Sequence, residues 1–492
     1  MWDNEATVQR MEARPRNIAI LLLGLGICTG GLAAAVYRVG PGQPLESIAG
    51  VPWASLQPGD TVLIHWRPEP YREKWVICRQ GTAEAPITVR GVAAEDGRLP
   101  VLDGNQAVTP SGLNFWNEAR GMIKIGGANH PPDAMPRHII IENLEVRSAR
   151  SPNTFTGRAG VPQPYSNNAA AIYVEKGENL VIRGTVLHDS GNGLFIGSSD
   201  SNVTRDVLVE GNHIFGNGNA GSAFEHNSYT AALGIVFQFN RYGPPRAGSA
   251  GNNLKDRSAG LVARYNWIEA GNRQLDLVDA EDSIVIQADP RYRETRVYGN
   301  ILIEPDGAGN RQIVHYGGDS GSLAQYRQGT LYFYNNTVVS TRSDRTTLFR
   351  LSTPQERCDA RNNIFFATAR GNTVSLLDAD GVLELRHNWI KPGWVTSFAQ
   401  FRGAVHAETP MLEGESPGFV EEGGQNYGLA PASPLVNAGG LLHPAILPEG
   451  DVVRHYVRHQ SGEPRPSDGR LDVGAFELLA PRRPPRARFA RP

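Results

Sequence analysis

Between residues 225 and 319 the chain gathers polar side chains of the kinds that do acid–base work. They are EHNSYT at 225–230, NNLKDRS at 252–258, GNRQLDLVDAED at 271–282 and VHYGGD at 314–319. If 254–258 is a strand, Lys255 and Arg257 face one side and Leu254 the other. The same alternation turns Asp256 inward, which is costly unless it meets a partner. An ammonium beside a guanidinium suits β-elimination on a uronic acid. That reaction must neutralise the sugar carboxylate, remove the neighbouring proton and protonate the leaving oxygen. Arg257 can grip a carboxylate through two parallel bonds. A Lys beside another cation has a lowered pKa, which makes Lys255 the expected base. Tyr229 or His226 can supply the last proton.

The neighbouring carboxylates open other routes. Asp279, Glu281 and Asp282, with Asp276 beside them, offer the several oxygens a calcium ion takes, and calcium would replace Arg in neutralising the substrate. Without it the reaction requires no cofactor. Alternatively, two of Asp276, Asp279 and Asp282 form the acid and base pair of a glycoside hydrolase. Asp276, Asp279, His315 and Tyr316 are the expected substrate-binding residues, the two Asp having a structural role as the alternative. Tyr292, Tyr316, Tyr326 and Trp267 serve either packing or sugar stacking.

Such residues act together only if the backbone brings them to one face, and the sequence carries a repeat that does so. A short phrase of strand-type residues, Asn and apolar residues recurs, with its Asn at 212, 240, 266, 300, 336, 363 and 388. The gaps are 28, 26, 34, 36, 27 and 25, and Ile139–Val146, with Asn143, is a looser copy. A period near 25 with β-rich phrases reads as a solenoid with one coil per repeat. The fold class is therefore all-β, a single-stranded right-handed parallel β-helix of about ten coils. Its Asn are expected at bends, in left-handed backbone, bonded to their copies in adjacent coils. A leucine-rich repeat is disfavoured because its Leu frame is absent. The longer gaps imply inserted loops, and 241–253 and 303–328 are expected to wall a groove. Tyr229 and Lys255 each stand 11 residues before an Asn of the column, Asn240 and Asn266. In register they would be neighbours, about 4.8 Å apart on adjacent strands.

The two ends of the repetitive region are similar to a known group. Leu56–Val62 reads LQPGDTV and Pro86–Val89 reads PITV, while SPLVNAGG at 433–440 and DGRLDVGAFE at 468–477 close the chain. These segments resemble the opening and closing parts of the pectate-lyase-like right-handed parallel β-helix superfamily of bacterial β-helix repeat proteins. The resemblance spans about 45–478 and implies fold more than reaction. A looser similarity is to the alginate lyase and chondroitinase B family, which uses a Lys base and an Arg on the following coil. That similarity implies Lys255 and Arg273 in those roles, although the family's Arg-His-Gly phrase is absent here. A C5-uronate epimerase, and a non-catalytic protein that binds or exports polysaccharide, share the same framework.

Composition bounds the partners. A net charge of −2 lacks the strongly basic face that nucleic-acid binding uses. Three cysteines, Cys28, Cys78 and Cys358, are too few for a disulfide framework. Residues 18–36 run without a charge after Arg10, Arg14 and Arg16. As a helix they would reach about 28 Å, close to a bilayer core. They read as a signal anchor in the inner membrane, or as a signal peptide cut near Ala33 and Ala35. The expected organisation is a cytoplasmic and signal segment at 1–39, a β-helix domain at 40–478 in the periplasm or outside the cell, and a Pro/Arg-rich tail at 479–492. A monomer acting on an acidic polysaccharide is the expected whole.

Overall fold

The computed structural model describes residues 34–479. Three long sheets are built between residues 36 and 413, with thirteen, eleven and ten strands. In each, successive coils contribute successive strands in parallel. The thirteen-stranded sheet begins at Val36–Val39 and ends at Ala404–Ala407, the eleven-stranded runs from Val101–Asp103 to Leu412–Glu413, and the ten-stranded from Trp75–Ile77 to Thr373–Leu377. This is a right-handed parallel β-helix, the hand that parallel crossovers adopt. Alternation fills its interior: Ile139 and Ile141 stack on Leu180 and Ile182, then on Val207 and Val209, then on Ile235 and Phe237, all buried. Cys78 and Cys358 are free buried thiols within this core.

The seven Asn form one continuous ladder. The backbone N–H and the side-chain Nδ2 of Asn212 both donate to Oδ1 of Asn240, at 3.0 and 2.9 Å. Asn240 does the same to Asn266, Asn266 to Asn300, Asn300 to Asn336, Asn336 to Asn363 and Asn363 to Asn388. The second Nδ2 proton goes back to a carbonyl of the coil before, Ile182 for Asn212 and Phe237 for Asn266. All seven side chains are fully buried. The left-handed residue is not the ladder Asn but the one before it: Gly211, Phe239, Tyr265, Gly299, Asn335, Asn362 and His387, with φ from 49° to 64°. That residue turns the chain so that the Asn side chain points along the stack. Asn143 has φ 56° and so occupies the turning position, with buried Leu144 where the ladder would be.

A second, shorter ladder lies at another corner. Asn217 donates to Oδ1 of Asn227, Asn227 to Oδ1 of Asn253, and Asn253 to the carbonyls of Glu269 and Ala270. Asn227 and Asn253 immediately precede the strands that carry Tyr229 and Lys255.

The coils end at Glu413, earlier than the expected 478. Residues 414–479 form two antiparallel hairpins, Phe419–Glu421 with Asn426–Leu429 and Arg454–Val457 with Ser461–Pro464, and irregular chain. Tyr427, Leu435, Tyr456 and Val473 pack on Trp267, Ile301, Val339 and Trp389. Those large apolar side chains point outward from the eleven-stranded sheet and require a cover. At the other end Val36, the last residue of the apolar stretch, already opens the first strand. The rest of the signal segment up to residue 33, with Cys28, and the tail from 480 lie outside the described residues. Among the described residues no helix is long and apolar enough to cross a membrane.

Removing one ladder side chain strands two buried donors of Asn240 and opens a gap in the column. Asn266→Ala is therefore expected to lower unfolding free energy by about 3 kcal/mol. Urea unfolding measures it, and a loss below about 1 kcal/mol would mean the ladder is not a principal support.

Candidate functional site

Six strands of the ten-stranded sheet build the face of interest. They are β1 (Asn192–Ile196), β2 (Ser228–Thr230), β3 (Leu254–Asp256), β4 (Leu275–Leu277), β5 (Gln312–Tyr316) and β6 (Arg345–Leu351). Their register aligns one outward column: Phe195, Tyr229, Lys255, Asp276, His315 and Arg350. Tyr229 and Lys255 are direct partners.

Lys255 is not an exposed lysine. Only 8% of its side chain is accessible, and Nζ bonds Asp276 at 3.1 Å and the carboxylate of Asp319. Burial pulls its pKa down, but Asp276 and Asp319 outweigh that and the neighbouring Arg257, so the shift is upward. The expectation of a lowered pKa is thus reversed, because carboxylates of later coils surround the amine. Asp276 is buried and collects four donors: Asn252 Nδ2 at 2.8 Å, Lys255, Arg273 Nη1 at 3.4 Å and His315 Nδ1 at 2.7 Å. Burial pushes its pKa up, yet Lys255, His315 and Arg273 hold it well below the usual carboxylate range.

Arg257 is the second hub. Its Nε donates to the Tyr229 hydroxyl at 2.8 Å, Nη1 to the Asp279 carbonyl, and Nη2 to Asp319 at 3.0 Å and Glu281 at 2.8 Å. Asp319 therefore bridges Lys255 and Arg257, with 31% of its side chain exposed. Asp279 is fully buried and accepts from the backbone N–H of Asp319 at 2.8 Å. It holds the Asp319 turn and is out of a polymer's reach. Asp279 and Glu281 close on the Arg257 guanidinium, while Asp282 is exposed beside it and lines a small cavity with Tyr229 and Arg257. Two of the three expected calcium ligands, Asp279 and Glu281, thus face a cation of the chain itself. Among the described residues no three His, Cys, Asp or Glu groups converge as metal ligands.

Both histidines of this face have pKa values lowered by burial. Burial, then Lys255, brings His226 down to about 3; its Nδ1 accepts from the Asn252 backbone at 2.9 Å, so the proton sits on Nε2. The ring meets Tyr229 edge-on. Burial lowers His315 as well. Its Nδ1–H points to Asp276, so Nε2 accepts from the Ser352 hydroxyl at 2.9 Å. Ser352 Oγ also receives the Gly318 N–H at 3.0 Å and is held in place from several sides. Burial keeps the Tyr229 phenol protonated by raising its pKa.

Arg273 lies on the coil after Lys255 and donates to Gln312 at 2.8 Å as well as to Asp276. Tyr316, expected to bind substrate, faces the interior and is fully buried, as the alternation from His315 requires. Tyr292 is buried too, but in a separate small cluster with Ala280 and Ile286, where its hydroxyl donates to the Gln325 carbonyl. Asp256 points inward, as alternation demands, and meets Arg327 at 3.5 Å, with Thr230 and Ser258 donating at 2.7 and 2.8 Å. Four participants escaped sequence reasoning: Asn252, Asp319, Arg350 and Ser352. Of these Asn252 and Asp319 carried a signal, the polar NNLKDRS and VHYGGD phrases.

No protein-family model matches the chain, and no curated protein matches it in sequence. Solved structures with a similar chain course include pectate lyase Pel9A, at 14% identity, covering 91% of this chain and 98% of that one with a TM-score of 0.47. An alginate lyase from Paenibacillus sp. str. FPU-7 is similar at 14% identity over 72% of this chain and 93% of its own, TM-score 0.31. XylC, solved with xylose, is similar at 11% identity over 76% and 86%, TM-score 0.41.

Because Lys255 sits between two carboxylates, its loss leaves Asp276 buried with one cation fewer. Lys255→Met is expected to cost about 3 kcal/mol at neutral pH. The carboxylates contribute stability above their unfolded pKa, near 4, and lose it as pH falls through their lowered folded values. The difference between wild type and variant should therefore shrink in acid. Urea titrations at pH 7 and pH 3 test this; equal costs at both would show that the ion pairs do not hold Lys255.

Proposed function

We propose that this protein is an extracytoplasmic lyase that cleaves a uronate-containing polysaccharide by β-elimination at the Tyr229–Lys255–Arg257 face. The observation that carries the reading is the carboxylate of Asp319, gripped jointly by Lys255 and by Arg257 Nη2 at 3.0 Å, with the Tyr229 hydroxyl on the same guanidinium. Donors that hold one carboxylate in this way are suited to a sugar carboxylate. Asp319 belongs to a turn and keeps solvent access, so an incoming uronate can exchange with it.

The chemistry follows from that exchange. Arg257 neutralises the sugar carboxylate and stabilises the charge that develops when the adjacent carbon loses its proton. The exchange frees the Lys255 amine from its bond to Asp319, and burial and the neighbouring Arg257, both of which lower its pKa, favour release of its proton to solvent. As the free amine it takes the proton beside the carboxylate. The Tyr229 hydroxyl gives its proton to the leaving oxygen. Asp276 and His315 fix Lys255 and do not meet the polymer, and Arg273 holds Asp276 in turn. The hydrolase alternative requires one carboxyl kept protonated as general acid. Asp276 is instead held ionised, and Asp279 is enclosed.

Incubation of the full-length chain with polygalacturonate, alginate and glucuronan should release ultraviolet-absorbing unsaturated ends from one of them. Lys255→Ala should abolish the release, and Arg257→Lys should reduce it at least about tenfold through loss of the forked grip. Reducing ends without absorbance would instead indicate hydrolysis, and inversion without cleavage an epimerase.

The pH profile is a separate test. Since Lys255 must lose a proton held above its ordinary value, kcat/KM should climb through the alkaline range. Asp319→Asn removes a charge that raises Lys255, so its climb should begin at lower pH. A profile unmoved by Asp319→Asn would remove Lys255 from the role of base.

A further inference from the structure

A cavity of about 510 Å3 opens at the edge of the same sheet, where the start of β5, the outer side of β6 and the segment around Gly309 meet. Five arginines line it: Arg273, Arg311, Arg342, Arg345 and Arg350. Three have carboxylate partners. Arg311 and Arg342 share Asp344, at 2.6 and 2.9 Å, Arg342 also bonds Glu304, and Arg273 bonds Asp276. For Arg345 and Arg350, no carboxylate lies within ion-pair distance among the described residues. Arg345 rests on the Phe398 ring, 4.9 Å from its centroid, and Arg350 is half-buried.

Solvated surface arginines are common, but this group differs in two respects. It is concave, and its two uncompensated guanidiniums stand beside three more that are paired with acids outside the cavity lining. Such a recess raises the local concentration of anions. All five cations are arginines, whose planar forks bind carboxylate or sulfate through parallel hydrogen bonds. Arg350 stands in the outward column three strands beyond Lys255, about 14 Å at β-strand spacing. Arg273 joins the two places, touching Asp276 on one side and the cavity on the other.

We propose that this arginine pocket is a second anion-binding subsite, which seats an acidic substituent, carboxylate or sulfate ester, on a sugar unit of the bound polysaccharide other than the one at Lys255. The inference rests on the reading of the Lys255 face as a polysaccharide site, and it adds a requirement. The polymer carries acidic groups at more than one position along its length, and the chain lies along the coils rather than across them.

The test uses the full-length protein and the double variant Arg345→Gln/Arg350→Gln, neither residue having an ion-pair partner to lose. Binding is measured by calorimetry with polygalacturonate for carboxylate, dextran sulfate for sulfate and dextran as the neutral control. The variant should keep the wild-type melting temperature. It should bind one or both acidic polymers about tenfold more weakly, with a shallower dependence on salt. Loss confined to dextran sulfate assigns sulfate, and loss on polygalacturonate assigns carboxylate. If wild type cleaves a polymer, the variant should show a raised KM at unchanged kcat. Unchanged binding of both acidic polymers overturns the pocket even if elimination is observed. Weakened binding with no cleavage of any uronate polymer by wild type leaves the pocket standing and removes the lyase reading.

Discussion

A buried carboxamide in each of seven coils sets the geometry that everything else inherits. Each ladder Asn from 212 to 363 has its oxygen filled by two donors of the coil before and its own donors directed to the coil after and back to a carbonyl behind, and Asn388 ends the stack. Buried polar groups left unmet cost free energy, so the stack is favourable only when every Asn returns to the same corner. Coil length may vary, but extra residues have to leave the wall elsewhere. The two longest spacings, from Asn266 to Asn300 and from Asn300 to Asn336, show where they go. The first extends into the short helix Ile284–Ala288 and the turn after it; the second emerges on both sides of β5. Asp279 and Glu281 come from the first insertion, and Asp319 from the second. Asp276 stands on β4 itself, but the other acids around Lys255 and Arg257 are products of the ladder's tolerance for insertions.

That origin explains why the face is an ion network rather than a set of free groups. Parallel strands place like positions one above another, and a column of cations would repel itself. The outward column instead passes from aromatic to charged, Phe195 and Tyr229 first, then Lys255, Asp276, His315 and Arg350, with opposite signs adjacent where the charges are most buried. Compensation ends at Arg350, where the strand meets the arginine cavity. Lys255 is the point at which burial, two carboxylates and a guanidinium act on one amine, and the carboxylates prevail.

The ladder and the pairing of Tyr229 with Lys255 were legible because they depend on spacing alone. Both residues stand 11 before their Asn, in coils without a large insertion between strand and corner. Beyond Asn266 that offset fails: Asp276 stands 24 before Asn300, His315 21 before Asn336 and Arg350 13 before Asn363. Their alignment depends on where each insertion leaves the wall, which periodicity does not reveal, so Arg350 went unseen. The pKa direction of Lys255 failed for a related reason. Sequence displayed the cation two residues away but not the carboxylates returning from later coils. Tyr316 was a different error, since alternation from an outward His315 already turns it inward. The ladder Asn and their left-handed neighbours were confused because both occupy the same bend, one residue apart.

The inward Asp256 shows how the site is held from beneath. A buried Asp–Arg pair adds little to stability, since desolvation consumes most of the attraction. Its role here is positional. Arg327 is fully buried, with Nη1 on the Ser258 carbonyl at 2.7 Å, Nη2 on the Asp256 carbonyl at 3.2 Å, and the Asp256 carboxylate at 3.5 Å. Arg327 ends the turn that carries Asp319, and its backbone N–H donates to the Gly317 carbonyl at 3.1 Å. One side chain thus ties the base of that turn to the underside of β3, the strand whose upper side presents Lys255. Asp279 fixes the other limb through the Asp319 backbone. With both limbs anchored, Asp319 is delivered over Lys255 and Arg257 while its carboxylate stays open to exchange. The charge buried under the strand and the carboxylate on its surface are therefore parts of one device, which explains why a strand of three residues carries an acid on its inner side at all.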